Sequence, residues 1–158
     1  MVANILTDLT DKLDAWASNW WFLLVILAIA FLDSVIPVVP SETTVIIGGV
    51  VAGQSGDLNI FLVILCAALG AFLGDNTAYA IGSRFRPWME RRAARSEKFG
   101  QRLSWASTQI SQRGGLLLIT ARFVPGGRTA LTLTSGITHQ PRTWFAGWVA
   151  VAALIWAT

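Results

Sequence analysis

Two long apolar stretches of this chain, 20–53 and 114–138, are each interrupted by proline together with two charged residues. That combination excludes most folds. A charge at bilayer depth costs about 2.5–3.5 kcal/mol even on insertion scales, and proline removes a backbone donor and disfavours helix just before it. Neither stretch reads as a plain spanning helix or as the core of a soluble domain. The composition agrees: 158 residues are 54% hydrophobic and 13% charged, against about 25% charged in soluble domains, and mean hydropathy is +0.57. These values exclude a disordered chain, a disulfide scaffold and a nucleic-acid-binding module. The pI of 9.8 accompanies a net charge of only +3, which the basic loops of a membrane protein explain. Cys66, the single cysteine, reads as a small buried hydrophobe. His139, the single histidine, is too few for a zinc site, and no metal or cofactor is expected.

Segment lengths divide the chain further. A spanning helix needs about 20 apolar residues. The stretch 58–82 qualifies, with Asp75 its one charge. The final run, 143–158, is 16 residues, wholly apolar and reaches the end of the sequence, which reads as a helix cut short. The halves of the first broken stretch, 21–31 and 43–52, are too short to cross singly. Apolar half, polar break with proline, apolar half describes a re-entrant hairpin, the alternative being one kinked spanning helix. Irregular backbone at membrane depth is tolerated only where protein or water satisfies it, and such breaks mark binding sites in transporters. Pro37, Pro40 and Pro125 are the structural breaks.

The first nineteen residues carry Asp8, Asp11 and Asp14 against Lys12, the wrong charge for a secretory leader. Val2, Ile5, Leu6, Leu9, Leu13, Trp16 and Trp20 fall on one helical face, so an amphipathic helix on the membrane surface is expected. A second such segment, 87–112, carries Phe99, Leu103, Ala106 and Ile110 among basic residues, with Trp88 and Trp105 suited to the interface.

The order is thus amphipathic helix, broken hairpin and spanning helix, then the same again, with Pro40 and Pro125 separated by 85 positions. The fold class is an all-α membrane protein, a single membrane domain over 1–158 built as repeat 1 over about 1–83 and repeat 2 over about 84–158. One crossing per repeat inverts the second relative to the first, as in secondary transporters. Residues 84–113 hold eight Lys or Arg against two Glu, which places them in the cytoplasm, with the first hairpin entering from outside and the second from inside.

The break charges differ in sign. Asp33 and Glu42 flank the first break, and suit a proton or a metal cation. Arg122 and Arg128 flank the second, around Gly126 and Gly127. If 129–134 opens a half-helix, its amides and dipole favour an anion, and arginine grips phosphate bidentately. Together these suit coupling of cation movement to an anionic substrate. The alternative is two structural ion pairs that hold the hairpins together. Gly70, Gly74 and Gly82 are spaced for close helix packing. Asp75 and Asn76 either line a cavity or bond a neighbouring helix.

At these residues the chain resembles the DedA family, also called the VTT or SNARE-associated Golgi protein family. The carriers are Phe31-Leu-Asp33 with Pro37-Val-Val-Pro-Ser-Glu42, Gly74-Asp75-Asn76 with Tyr79 and Gly82, and Arg122-Phe-Val-Pro-Gly-Gly-Arg128 followed by Gly136. The resemblance implies a bacterial inner-membrane protein with two opposed re-entrant hairpins that moves lipid across the bilayer. For bacterial members it implies recycling of undecaprenyl phosphate, and a link to the proton motive force. It maps essential acidic residues onto Asp33 and Glu42, and essential arginines onto Arg122 and Arg128. This chain has Asp33 where the family commonly has Glu, and members usually continue past the equivalent of Thr158.

The leading expectation is a lipid-phosphate flippase in which Arg122, Arg128, Gly126 and Gly127 hold the head group while Asp33 and Glu42 couple to protons or sodium. A transporter of small solutes or cations, with structural arginines, is the alternative. A membrane enzyme is disfavoured because no nucleophile–base pair is visible. Expected partners are membrane lipids, coupling ions and, compatibly with the pattern, a second copy of the chain.

Overall fold

The computed structural model describes residues 20–36, 41–55, 59–124 and 126–158. The expected surface helix before Trp20 and the prolines at 37, 40 and 125 lie outside the described residues, as does the side chain of Glu42. Among the described residues six α-helices and one 3-10 turn follow in order: α1 Trp21–Val35, α2 Ser41–Ser55, α3 Ile60–Arg95, α4 Glu97–Thr120, the 3-10 turn Ala121–Phe123, α5 Gly127–Ile137 and α6 Arg142–Ala157. Every regular element among the described residues is helical, as an all-α membrane protein requires.

Local chemistry explains most boundaries. α1 stops where Ile36, the residue before Pro37, turns extended (φ −121°, ψ 101°), because a following proline disfavours the α region. α3 starts at a side-chain cap, with Asn59 accepting from the Phe61 amide at 2.9 Å. α4 is kinked at Gly114, held at φ 56° and ψ −141°, a conformation that glycine reaches cheaply. The kink separates the basic stretch from the short apolar arm that leads to Arg122. Gly126, at φ 71°, forms the entry to α5.

α3 departs from expectation. The spanning segment expected over 58–82 and the surface segment expected from Pro87 are here one continuous helix of 36 residues that passes through Pro87 and ends at Arg95. The i,i+4 pair Arg86–Glu90, at 2.7 Å, brackets the proline. The chain turns extended at Ser96 instead, so the surface segment is divided there, and the boundary expected between the repeats falls within a helix. At 1.5 Å per residue, α3 is about 54 Å long, against about 30 Å of hydrocarbon. Among the described helices it alone is long and apolar enough to cross a membrane; α1 and α6 are shorter apolar helices.

All the other helices pack around α3. Its contact face is small: Ala67, Gly70, Ala71, Gly74, Ala78 and Gly82 are buried, which lets backbones approach closely. Side chains at Gly70 or Gly74 would strike the backbone carbonyls of Leu27 or Phe31 on α1, and one at Gly82 would strike that of Leu133 on α5. Gly136 of α5 reciprocates, resting on the Tyr79 carbonyl. α1 and α5 therefore lie on successive stretches of one helix. One core cluster joins Ile26, Val63, Ala67, Ala71 and Ala153; the other joins Tyr79, Leu118, Phe145 and Val149. Leu24, Ile46, Phe61, Leu65, Leu69, Leu73, Leu154 and Ile155 remain exposed, in keeping with a lipid-facing exterior.

Candidate functional site

α1 and α5 meet where each begins or ends, and four charges converge there. Asp33 lies in the last turn of α1 and Arg128 in the first turn of α5. A carboxylate near a helix C-terminus and a guanidinium near an N-terminus both oppose their helix dipoles. The two relieve each other: Arg128 Nη2 donates to Asp33 Oδ2 at 2.9 Å. The first residue of α2 joins them, with Ser41 Oγ donating to the same Asp33 oxygen at 2.6 Å. A hydroxyl bond from Thr129 to the Ser34 carbonyl, 3.3 Å, ties the same two helices. Ser34 Oγ lies 3.0 Å from the Ala30 carbonyl of its own helix and 3.2 Å from the Ala71 carbonyl of α3, so its one proton is shared between α1 and α3.

A second pair lies deeper. Asp75, on the buried face of α3, accepts from Arg122 Nη2 at 2.7 Å and from Nη1 at 3.3 Å. Both side chains are 2% exposed, against 12% for Asp33 and 11% for Arg128. Asp75 also links the pairs, its Oδ1 lying 3.7 Å from Arg128 Nε. That distance is too long for a hydrogen bond, and Asp75 Oδ1 and Arg122 Nε are both buried without a hydrogen-bond partner. The Arg122 guanidinium also lies 5.6 Å from the ring centroid of Trp156 on α6, within cation–π range.

The structure thus gathers Asp33, Asp75, Arg122 and Arg128 into one network of two carboxylates and two guanidiniums. Asp33 bonds Arg128 across 95 residues, and Asp75 bonds Arg122 across 47. Gly126 and Gly127 form the turn into α5, where the Gly127 amide closes on the Val124 carbonyl at 2.9 Å. The amides of Arg128 and Thr129 follow, without intrahelical acceptors by helix geometry. Asn76 points its amide at its own helix, donating to the Phe72 carbonyl at 2.8 Å. Glu42 belongs to α2, one residue past Ser41.

The hydroxyls of Ser34, Ser41 and Thr129 are given no role by the sequence, where Ser41 stands only within the 37–42 motif and Thr129 only at the start of the half-helix. Their only signal is polarity within apolar or near-break sequence, which many membrane helices share. The network neutralises itself, so burial costs less than for four lone charges. The Asp33 carboxylate holds Arg128, the guanidinium in the first turn of α5 that an anion would otherwise meet. Among the described residues no three His, Cys, Asp or Glu side chains cluster to hold a metal.

Comparison with known proteins gives a consistent picture. Residues 39–158 match the VTT domain. An uncharacterized membrane protein of Synechocystis is 33% identical over 149 residues, covering 93% of this chain and 67% of that protein. An uncharacterized membrane protein of Haemophilus influenzae is 32% identical over 77% of this chain and 57% of its own length. Protein DedA of Escherichia coli is 27% identical over 86% of this chain and 64% of its own. The chain thus spans less than two thirds of the Haemophilus and Escherichia proteins. No solved structure matches it.

Proposed function

The chain belongs to the VTT-domain family of bacterial membrane proteins that includes DedA, and from that premise we propose that it translocates an anionic lipid with a phosphate head group, undecaprenyl phosphate or a close relative. The observation that carries this reading is the carboxylate of Asp33 seated against Arg128 at the opening of α5. An arginine at a helix N-terminus is an anion site, and here an internal carboxylate fills it. Protonation of Asp33, or capture of a cation by Asp33 with Glu42, would release Arg128 to a phosphate. Loss of the proton would restore the pair and expel the head group. Lipid movement and cation movement are then linked by competition for one guanidinium. Asp75 keeps Arg122 in place throughout. In this reading the two broken segments are re-entrant hairpins of an inverted repeat in the inner membrane, 84–113 is cytoplasmic, and the protein is a transporter, not an enzyme.

The test is movement of a fluorescent polyprenyl phosphate across liposomes that contain the full-length protein. Loss of a charge-assisted bond worth about 1.5–3 kcal/mol predicts that R128Q slows transport by about tenfold or more. Transport by R128Q at the normal rate would refute the assignment. A second reading has its own observation, since both arginines are already matched by carboxylates. In it they are structural, and the acidic groups carry protons or sodium with a small solute. Proton or sodium flux with solute uptake into liposomes that hold no polyprenyl phosphate, unchanged by R128Q, would select it.

A further inference from the structure

A second basic site lies away from this network. A cavity of about 580 Å³ opens beside the turn between α5 and α6, lined by Tyr79, Ser83, Arg86, His139 and Arg142 among others. Three nitrogen-bearing side chains line it from two parts of the chain, Arg86 on α3 and His139 with Arg142 where the turn enters α6. Among the described residues no carboxylate lines it. Glu90 lines only the smaller neighbouring cavity, about 270 Å³, which shares Arg86 and His139, and it engages Arg86 through Nε at 2.7 Å. The wall is rigid. Tyr79 Oη donates to the Gln140 carbonyl at 2.7 Å, and Gln140 Nε2 donates to Ser111 Oγ of α4 at 3.2 Å. The tight turn holds His139 at φ 64°, the one positive φ outside glycine among the described residues, an arrangement that persists only where its surroundings enforce it.

Arg142 repeats the problem that Arg128 poses. It opens a helix, α6, of 16 residues whose N-cap, Pro141, supplies no side-chain cap. A guanidinium there opposes the dipole, and the first amides favour an anion. Arg128 is answered by Asp33. Arg142 has no carboxylate within 4 Å among the described residues, and its guanidinium lies 5.9 Å from the Tyr79 ring centroid. The depth is also informative: Phe85 and Trp88, both exposed, sit on α3 where apolar sequence gives way to basic, as at a membrane interface.

We propose that this cavity binds the phosphate of an anionic membrane lipid, with Arg86, Arg142 and His139 and the opening of α6 as its donors. The site is separate from the Asp33–Arg128 network and stands whether or not that network transports lipid. Free phosphate offers the same chemistry, and the experiment separates the two. Phosphatidylglycerol retained by the detergent-purified full chain is counted by native mass spectrometry, with phosphatidylcholine as the neutral comparison and inorganic phosphate as the soluble probe. R86Q/R142Q is expected to lower phosphatidylglycerol retention by about tenfold or more. R91Q/R95Q, with the same loss of charge at exposed positions outside the cavity, is expected to leave it nearly unchanged. Equal losses in the two double variants, or none in R86Q/R142Q, would overturn the proposal. So would binding of inorganic phosphate without retention of phosphatidylglycerol. Should the double variant fold poorly by circular dichroism, R142Q alone, at an exposed position, carries the same test with a smaller expected loss.

Discussion

The deep pair offers a way to separate folding from function. Asp75→Ala would leave the Arg122 guanidinium, 2% exposed, without its carboxylate, and would remove the second carboxylate near Arg128. Stranding a buried charge costs about 3–5 kcal/mol. Arg122→Ala should cost less, about 2–3 kcal/mol, because Arg128 Nε stays 3.7 Å from Asp75 and Asp75 keeps partial compensation. The double replacement Asp75→Leu/Arg122→Met removes both charges and fills similar volume. The native pair already leaves Asp75 Oδ1 and Arg122 Nε without hydrogen bonds, so little is given up. The double variant should lie within about 2 kcal/mol of the parent, as apolar replacements of buried ion pairs often do. The double variant is then expected to lose at least about 3 kcal/mol less than the two single replacements together. Reversible unfolding of the purified protein by titration of SDS into mixed micelles measures each value, each 1.4 kcal/mol being about tenfold in the unfolding constant. Single variants costing under about 1 kcal/mol, or a double variant costing the sum of the singles, would refute the reasoning. The same double variant in the lipid-transport assay is expected to be folded and inactive. Normal transport would show that Arg122 serves stability alone.

Three further substitutions test the packing of α3 and the turn it supports. Gly136→Ala would drive a methyl group into the Tyr79 carbonyl of α3 and should cost about 1–3 kcal/mol as overpacking. Gly49→Ala, where a side chain meets open space, should stabilise by about 0.5–1 kcal/mol; thermal unfolding monitored by circular dichroism gives both signs, and equal shifts would contradict the close approach of α3 and α5. Tyr79→Phe removes the hydroxyl bond to the Gln140 carbonyl and should cost about 1 kcal/mol. Faster amide exchange at 138–140 is the accompanying signature, and unchanged exchange there would show that Tyr79 does not anchor the turn.

The legible part of the site is its membership, and the illegible part is its pairing. Asp33, Arg122 and Arg128 announce themselves because charge in an apolar run is costly wherever the chain folds. Sequence reading groups Asp33 with Glu42, its near neighbour, and leaves Asp75 open between a cavity and a neighbouring helix. The structure gives Asp33 to Arg128 and Asp75 to Arg122. No local rule spans 95 or 47 residues, since pairing depends on which helix ends α3 brings together. The division at Ser96 in place of Pro87 has the same character: proline is a strong local breaker, yet the helix continues through it between Arg86 and Glu90.

By itself the sequence determined the solvent this chain inhabits, the places where its apolar stretches must break, and the small-residue face of α3. These follow from transfer free energies and steric size, which belong to each residue. Tertiary structure alone decided that α1 and α5 share one helix through Gly70, Gly74 and Gly82. That shared packing carries a carboxylate opposed to its own dipole onto a guanidinium opposed to its own. Electrostatic energy falls steeply with distance, so four charges that are each a liability in sequence become a compensated network only once the helices have met.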